Sequence, residues 1–280
     1  MKKMVPAVIA LCAVVCTVII IIQNTGFKTV EYTVSCPDLP EQFDGFRISL
    51  VADLHNRRHE SLAAKAAEYS PDIIVIGGDL VGRDDRDITP AVETVRELCD
   101  IAPVYYTSGN HEAESDMYGE LCEALLREGV HILENDGEEI ACGDSVIRIC
   151  GATDPSFYIK DERSTEKNVT ADTVRKNVAE AMGGYEGFTL LIAHRPEYFN
   201  IYGEAGADVI LSGHAHGGAV CLPFNKAIWA PGQGFSPEYT GGVYYSGKSA
   251  MALSRGLGDS TVPFRVNCPY ELVICTLKAE

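Results

Sequence analysis

Five short polar motifs each follow an apolar run in this chain, and together they contain five of its seven histidines. Imidazole, carboxylate and carboxamide oxygen are ligands that borderline divalent metals prefer. An Asp-x-His pair alone is common by chance, as a turn aspartate beside a surface histidine. Five such motifs in order indicate a metal centre. They are Asp53-Leu54-His55, Gly78-Asp79, Gly109-Asn110-His111, His194 and Gly213-His214-Ala215-His216.

The apolar runs before these motifs predict short strands, and amphipathic segments between them predict helices. The predicted strands cover residues 46–51, 73–76, 104–107, 189–193 and 209–211, and the predicted helices cover residues 60–69, 89–99, 118–128 and 170–182. Alternating strands and helices are typical of an α/β domain, in which ligands bind beyond the carboxyl ends of the strands. Every candidate ligand follows such an end.

The formal net charge of −17 over 280 residues limits the partners of this chain. A surface this acidic repels polyanions, so we expect no nucleic-acid partner. A phosphate-bearing substrate therefore needs local positive charge, which two divalent cations or a few arginines would supply.

An uncharged run covers residues 5–22 behind Lys2 and Lys3, and its 18 residues are just enough to cross a bilayer. A cleaved signal peptide or a buried helix are the alternatives. We predict a membrane anchor over residues 1–28 and a catalytic domain over residues 29–280. The two lysines favour a single-pass protein of the cell membrane with its domain outside the cytoplasm.

Eight of the ten cysteines lie beyond the anchor, without a Cys-x-x-Cys pair. They are either disulfide partners, with Cys142 and Cys150 flanking a predicted hairpin, or small buried hydrophobes.

With its motifs in place, the chain resembles the calcineurin-like metallophosphoesterases. More narrowly, it is similar to a membrane-associated bacterial branch that includes a UDP-2,3-diacylglucosamine pyrophosphatase type. Gly-Ala-Thr-Asp-Pro at 151–155, Ala-His-Arg-Pro-Glu at 193–197 and Ser-Arg-Gly-Leu-Gly at 254–258 also resemble that branch. The resemblance implies a four-layer α-β-β-α sandwich, two mixed sheets flanked by helices.

The resemblance also implies roles for the motif residues. One metal ion would take Asp53, His55 and His216, the second would take Asn110, His194 and His214, and Asp79 would bridge them. His111 would donate a proton or a hydrogen bond to the leaving oxygen; its alternative is a turn histidine paired with Asp53 or Glu112. Glu112 replaces the aspartate of many relatives, which puts its role of orienting His111 in question. The ions would be Mn, Fe or Zn.

Substrate contacts are less defined by the sequence. Arg195 and Arg255 are candidates to bind a phosphate, and a salt bridge is the alternative for each. Five aromatic residues lie between positions 229 and 245: Trp229, Phe235, Tyr239, Tyr244 and Tyr245. The interpretations of this cluster are a substrate groove, a contact with the bilayer, and packing within a loop.

The function expected from these features is hydrolysis of phosphoester or pyrophosphate bonds by metal-activated hydroxide, on a lipid-linked or envelope phosphate compound. A nucleotide or cyclic-nucleotide phosphodiesterase, or a phosphoprotein phosphatase, acting on soluble substrates is the alternative enzyme. A scaffold without turnover is disfavoured, because all seven ligand positions and His111 are present. The oligomeric state stays open.

Overall fold

The computed structural model describes residues 4–159, 169–222, 226–259 and 263–280, apart from the side chains of residues 4–13 and 16. Over these residues, most strands belong to two six-stranded sheets. The predicted polar loop over residues 155–169 lies largely outside the description, which omits residues 160–168.

In spatial order the strands of the first sheet are β1 (Phe27–Cys36), β16 (Tyr270–Ala279), β2 (Arg47–Val51), β3 (Ile73–Gly77), β4 (Val104–Thr107) and β5 (His131–Ile132). This sheet is mixed, because β16 runs antiparallel to β2 while the other neighbours are parallel. The long β1 and β16 pair over their whole length, so the two ends of the domain meet in this sheet.

The second sheet is also mixed, with a parallel centre and an antiparallel strand at each edge. In spatial order its strands are β14 (Gly242–Ser246), β15 (Ser249–Leu253), β9 (Val209–Ser212), β8 (Thr189–Ala193), β7 (Ser145–Ala152) and β6 (Asp136–Cys142). Its central strands are fully buried, as expected for strands covered on both faces.

Three hydrophobic clusters arrange these sheets into four layers. Side chains such as Leu50 and Leu190 pack between the sheets. The outer face of the first sheet is covered by α2 (Leu62–Ala67), α3 (Thr89–Cys99) and α5 (Tyr118–Arg127). The outer face of the second sheet is covered by α6 (Ala171–Met182) and α7 (Phe199–Glu204). The predicted α-β-β-α sandwich is confirmed.

The remaining elements are short or lie at the N-terminus. Helix α1 covers Met4–Thr25 and α4 covers Asn110–Glu114, and two small hairpins are formed by β10 (Cys221–Leu222) with β11 (Lys226–Ala227) and by β12 (Trp229–Ala230) with β13 (Gly234–Phe235). Single 3-10 turns occupy Glu41–Phe43, Pro155–Tyr158, Pro196–Tyr198 and His216–Gly218. The eight cysteines of the domain are free.

Part of the predicted membrane span, residues 5–13 and 16, has side chains outside the description. Within the described part of the chain, no helix is both long and apolar enough to cross a membrane. The predicted span is therefore not confirmed.

The C-terminal end of α1 is attached to the domain by hydrogen bonds. The Asn24 side chain accepts from the Arg265 amide at 2.6 Å and donates to the Arg265 carbonyl at 2.9 Å. The Arg57 guanidinium donates to the Asn24 carbonyl at 2.6 Å. These bonds fix the point at which the helix enters β1.

Candidate metal centre

All seven predicted ligands follow the carboxyl ends of strands, in turns or at the start of a short helix. The first sheet contributes Asp53 and His55 after β2, Asp79 after β3 and Asn110 after β4, and the second contributes His194 after β8 and His214 and His216 after β9. The turns after β2 and β3 are joined by bonds from the Asp53 amide to the Gly78 carbonyl and from the His55 amide to the Asp79 carbonyl, both 3.0 Å.

Six of these side chains form two groups that share one carboxylate. Asp53, His55, Asp79 and His216 form one, and Asp79, His194 and His214 form the other. Within each group the candidate ligand atoms lie within 4.8 Å of one another. His55 Nε2 is 3.3 Å from His216 Nε2, and His194 Nε2 is 3.2 Å from Asp79 Oδ2. This arrangement suits two adjacent cations with Asp79 between them.

The seventh residue, Asn110, carries independent evidence for a ligand. Its side chain is buried, and its Oδ1 has no hydrogen-bond partner among the described residues. A buried acceptor without a partner costs free energy comparable to a lost hydrogen bond. A cation bound at this oxygen removes that cost, so the donor set fits metal ions.

The protonation of the centre reflects buried carboxylates beside imidazoles. Burial lowers the pKa of His194, but the charges of Asp79 and Asp53 outweigh it and raise that pKa to about 10. Burial raises the pKa of Asp53 to about 7, against the opposing charge of His194. Because the His194 Nδ1–H donates to the Gly77 carbonyl at 2.8 Å, its Nε2 is the nitrogen that faces Asp79. A positive charge between Nε2 and Asp79, whether a proton or a metal ion, relieves their repulsion.

Five of the seven candidate ligands have a left-handed backbone. The φ angles are 50° for Asp53, 48° for His55, 51° for Asp79, 67° for His214 and 48° for His216. Non-glycine residues rarely adopt this conformation, and each instance costs on the order of 1–3 kcal/mol. Such strain persists only where the surrounding structure imposes it, which is characteristic of functional sites.

Two glycines are required by close packing against the carboxylates. A Cβ at Gly109 would collide with Asp79 Oδ1 and lie 2.6 Å from the Asp79 amide nitrogen. A Cβ at Gly213 would lie 2.7 Å from Asp53 Oδ2. The glycines of the motifs thus leave room for the ligands of the neighbouring turn.

Glu112 joins the turns that carry two of the ligands. Its Oε2 accepts from the amides of Asp79 at 2.8 Å and Gly109 at 2.7 Å, and its Oε1 accepts from the Val81 amide at 3.1 Å. Burial and the charge of Asp79 raise the pKa of Glu112 to about 7. Glu112 therefore braces the metal turns, and its bonds go to these amides instead of the His111 ring.

His111 is placed beside the metal centre and is held by Arg83. Its ring centroid is 4.4 Å from that of His55, and its Nδ1 accepts from the Arg83 amide at 3.2 Å. The Arg83 Nη2 lies 2.9 Å from His111 Nε2. The His111 ring is thus paired with Arg83. The sequence analysis did not select Arg83, because a single arginine four residues after Asp79 is a weak pattern.

The two predicted substrate arginines form ion pairs with the protein. Arg195 is 2% exposed, and its Nε donates to Asp154 Oδ2 at 2.8 Å while its Nη1 is 3.4 Å from His214 Nε2. Arg255 Nη1 donates to the buried Glu271 at 2.8 Å. This geometry favours the salt-bridge alternative for both.

A third arginine, Arg265, contacts the candidate ligand His216 directly. It lies in none of the motifs that the sequence analysis identified. It is fully buried, its Nη2 lies 3.1 Å from His216 Nδ1, and its Nη1 donates to the His216 carbonyl. Burial, followed by the charge of Arg265, holds the pKa of His216 well below its usual range. His216 is therefore neutral, as a metal ligand must be.

Comparison with known proteins identifies a family and several relatives to which this chain is similar. A family model described as Calcineurin-like phosphoesterase matches residues 46–218. The chain is 25% identical over 264 residues to the uncharacterized metallophosphoesterase YkuE of Bacillus subtilis, and the match covers 90% of this chain and 86% of that protein. It is 26% identical over 242 residues to the phosphodiesterase YaeI of Escherichia coli, with 83% and 82% covered.

Among solved structures, TT1561 of Thermus thermophilus matches with a TM-score of 0.52, 13% identity, and coverage of 76% of this chain and 90% of that one. This similarity shows a shared fold alone. The narrower resemblance to the UDP-2,3-diacylglucosamine pyrophosphatase type is not confirmed by these comparisons.

The packing at Gly109 can be tested with a matched pair of glycine substitutions. Gly109→Ala is expected to displace the Asp79 carboxylate and weaken Mn²⁺ binding by roughly tenfold to a hundredfold, the usual effect of disturbing a ligand's support. Gly119→Ala is the control, because a Cβ at this position of α5 has no described neighbour within 4 Å. It should leave Mn²⁺ affinity unchanged and raise stability by about 0.5–1 kcal/mol. Calorimetric titration and thermal unfolding measure both, and equal Mn²⁺ affinities would contradict the packing argument.

Proposed function

The chain belongs to the calcineurin-like phosphoesterase family, and on that premise we propose that it is a phosphodiesterase acting on amphiphilic substrates at a membrane surface. Membership of this family makes the chain a metal-dependent phosphoester hydrolase. We propose in addition that it prefers diesters and that its substrate lies at a membrane surface. The dinuclear centre rests on the carboxylate of Asp79, which belongs to both ligand groups. The observation that carries the proposed membrane-surface substrate is the exposed apolar surface of α1.

The ligand assignment follows the two groups. One ion would be held by Asp53, His55 and His216 and the other by His194 and His214 together with Asn110, and Asp79 would be shared by both. With no cysteine among the ligands, Mn, Fe or Zn fits the donor set. When bound, two such ions polarise the phosphate and lower the pKa of the attacking water.

His111 and Arg83 are suited to the leaving oxygen of the substrate. Since the Arg83 amide donates to His111 Nδ1, we assign the proton of the neutral ring to Nε2. Nε2 then faces the Arg83 Nη2, which is also a donor, at 2.9 Å. An anionic leaving oxygen beside the two groups would accept from both. The His111 Nε2–H and the Arg83 guanidinium would each donate a hydrogen bond to this oxygen and so stabilise its charge.

A diester suits this chain better than a monoester for an electrostatic reason. A phosphodiester carries one negative charge at neutral pH, whereas a monoester carries nearly two. The net charge of −17 on the chain repels the more highly charged monoester more strongly than the diester. The relative YaeI, 26% identical, is named a phosphodiesterase.

Helix α1 supports a position at a bilayer. Six of its side chains are large, apolar and 47–65% exposed: Val14, Val15, Val18, Ile19, Ile21 and Ile22. An exposed apolar surface of this kind on a helix commonly marks a contact with lipid or another protein. Because Asn24 fixes the end of α1 beside Arg265, bilayer contact along α1 would keep the domain close to the lipid headgroups.

The proposed activity is tested with small esters that share one leaving group. With Mn²⁺, the purified full chain is expected to hydrolyse p-nitrophenyl methyl phosphate faster than p-nitrophenyl phosphate, and chelation of the metal should abolish both activities. Spectrophotometric release of p-nitrophenol measures the rates. A higher kcat/KM for ATP or cyclic AMP than for the methyl diester would favour the alternative of a soluble nucleotide substrate.

The assigned roles separate metal binding from stabilisation of the leaving oxygen. Asp79→Asn removes the charge that both ions would share, so it should lose bound metal and activity together. His111→Ala should retain both ions, measured by atomic absorption, while kcat falls by roughly a hundredfold to a thousandfold. Arg83→Ala should likewise keep the metal and lower kcat/KM by roughly tenfold or more. Loss of metal from His111→Ala would disprove its role at the leaving oxygen.

Membrane contact through α1 is tested by flotation with phospholipid vesicles. The full chain should float with the vesicles, and the double substitution Val18→Asp, Ile22→Asp should sediment, because each buried aspartate is costly in an apolar phase. Leu126→Asp, on the exposed face of α5, is the control and should still float. Flotation of the double variant would place the membrane contact elsewhere.

A further inference from the structure

A cavity of about 240 Å³ opens directly beside the metal ligand His216. His216 and Gly218 contribute to its lining, and the other lining side chains are apolar. They belong to Ala219, Val220, Ile228, Trp229 and Pro231. The cavity therefore adjoins the metal centre, because His216 contributes to both.

The cavity is built from the same turn that carries the ligand. After His216 the chain turns through Gly217, Gly218 and Ala219 with φ angles of 61°, 77° and 52°. A Cβ at Gly218 would collide with Ala227 and lie 2.7 Å from the Trp229 carbonyl. The wall of the cavity is thus packed tightly against the ligand turn, and its distance from His216 is fixed by the backbone.

Large apolar side chains continue from the cavity to solvent. Phe235 is 82% exposed, and it lies opposite Trp229 in the β12–β13 hairpin, so the two rings share one face of the ladder. Ile228, which lines the cavity, is 41% exposed. This apolar surface begins at the metal ligand and extends outward, as a site for a hydrocarbon chain requires.

We propose that this cavity binds the hydrocarbon chain adjoining the phosphate of the substrate, and so selects amphiphilic phosphodiesters. The proposal rests on the proposed function, since it assumes a phosphate at the two ions. A nucleoside fits the cavity less well. The polar edge of a base would find no side-chain partner among the apolar residues of the wall, and unpaired polar groups reduce affinity.

The one tryptophan of the chain, Trp229, provides a binding signal that does not depend on turnover. Octylphosphonate, added to the Zn²⁺-loaded full chain below its micelle concentration, should shift the tryptophan emission to shorter wavelength as the alkyl chain fills the cavity. Methylphosphonate should bind the metals without this shift. A shift of equal size with methylphosphonate, or with adenosine monophosphate and not octylphosphonate, would overturn the proposal.

Kinetics with two diesters distinguish this site from the proposed function itself. For p-nitrophenyl alkyl phosphates, kcat/KM should rise roughly threefold to fourfold per methylene until the cavity is full. Ile228→Asp and Phe235→Asp, both at exposed positions, should reduce the ratio of octyl to methyl ester at least tenfold, whereas Leu126→Asp on α5 should leave it unchanged. If the methyl ester is hydrolysed and chain length has no effect, the cavity assignment is wrong; if neither ester is hydrolysed, the proposed function fails.

Discussion

The buried carboxylates of Asp53 and Asp79 are the constraint on which the site depends. Both side chains are essentially inaccessible to solvent, and burying a charge without a partner is prohibitively costly. Histidines from the second sheet reduce that cost, as the raised pKa of His194 shows. Two divalent ions would compensate the same charge more completely. The affinity for metal and the contacts between the carboxylates of the first sheet and the histidines of the second therefore have a common electrostatic origin.

The strained ligand turns require a rigid support. Left-handed conformations at five ligands cost several kcal/mol in sum. The fully buried central strands and the hydrogen bonds of Glu112 to three amides hold these turns in place. A flexible site would relax to ordinary backbone angles and lose the spacing that two ions need. The buried strands and Glu112 thus hold the candidate ligands in this geometry.

The sequence predicted the secondary-structure elements that depend on local pattern, and its candidate ligands lie together in the structure. The strands before Asp79 and His194 were predicted within one residue, because a short apolar run ending in glycine or a polar motif is a strong local signal. The contacts it missed join distant segments. Arg265 reaches His216 across 49 residues, and β1 pairs with β16 across the whole domain. For the same reason the sequence left two alternatives open for Arg195 and Arg255, because charge alone does not reveal which partner a folded chain supplies.

Arg265 also connects the N-terminal helix to the metal centre. Its backbone exchanges two hydrogen bonds with the Asn24 side chain, while its guanidinium contacts the ring and carbonyl of His216. Arg57, which follows His55 in the ligand turn, donates to the Asn24 carbonyl on the other side. The end of α1 therefore contacts Arg57, in the turn that carries His55, and Arg265, which contacts His216. A helix in contact with a bilayer would be attached to the catalytic residues by a few partly buried hydrogen bonds. The last turn of α1 is consequently linked to the metal centre through Arg265, which also holds His216 beside the apolar cavity.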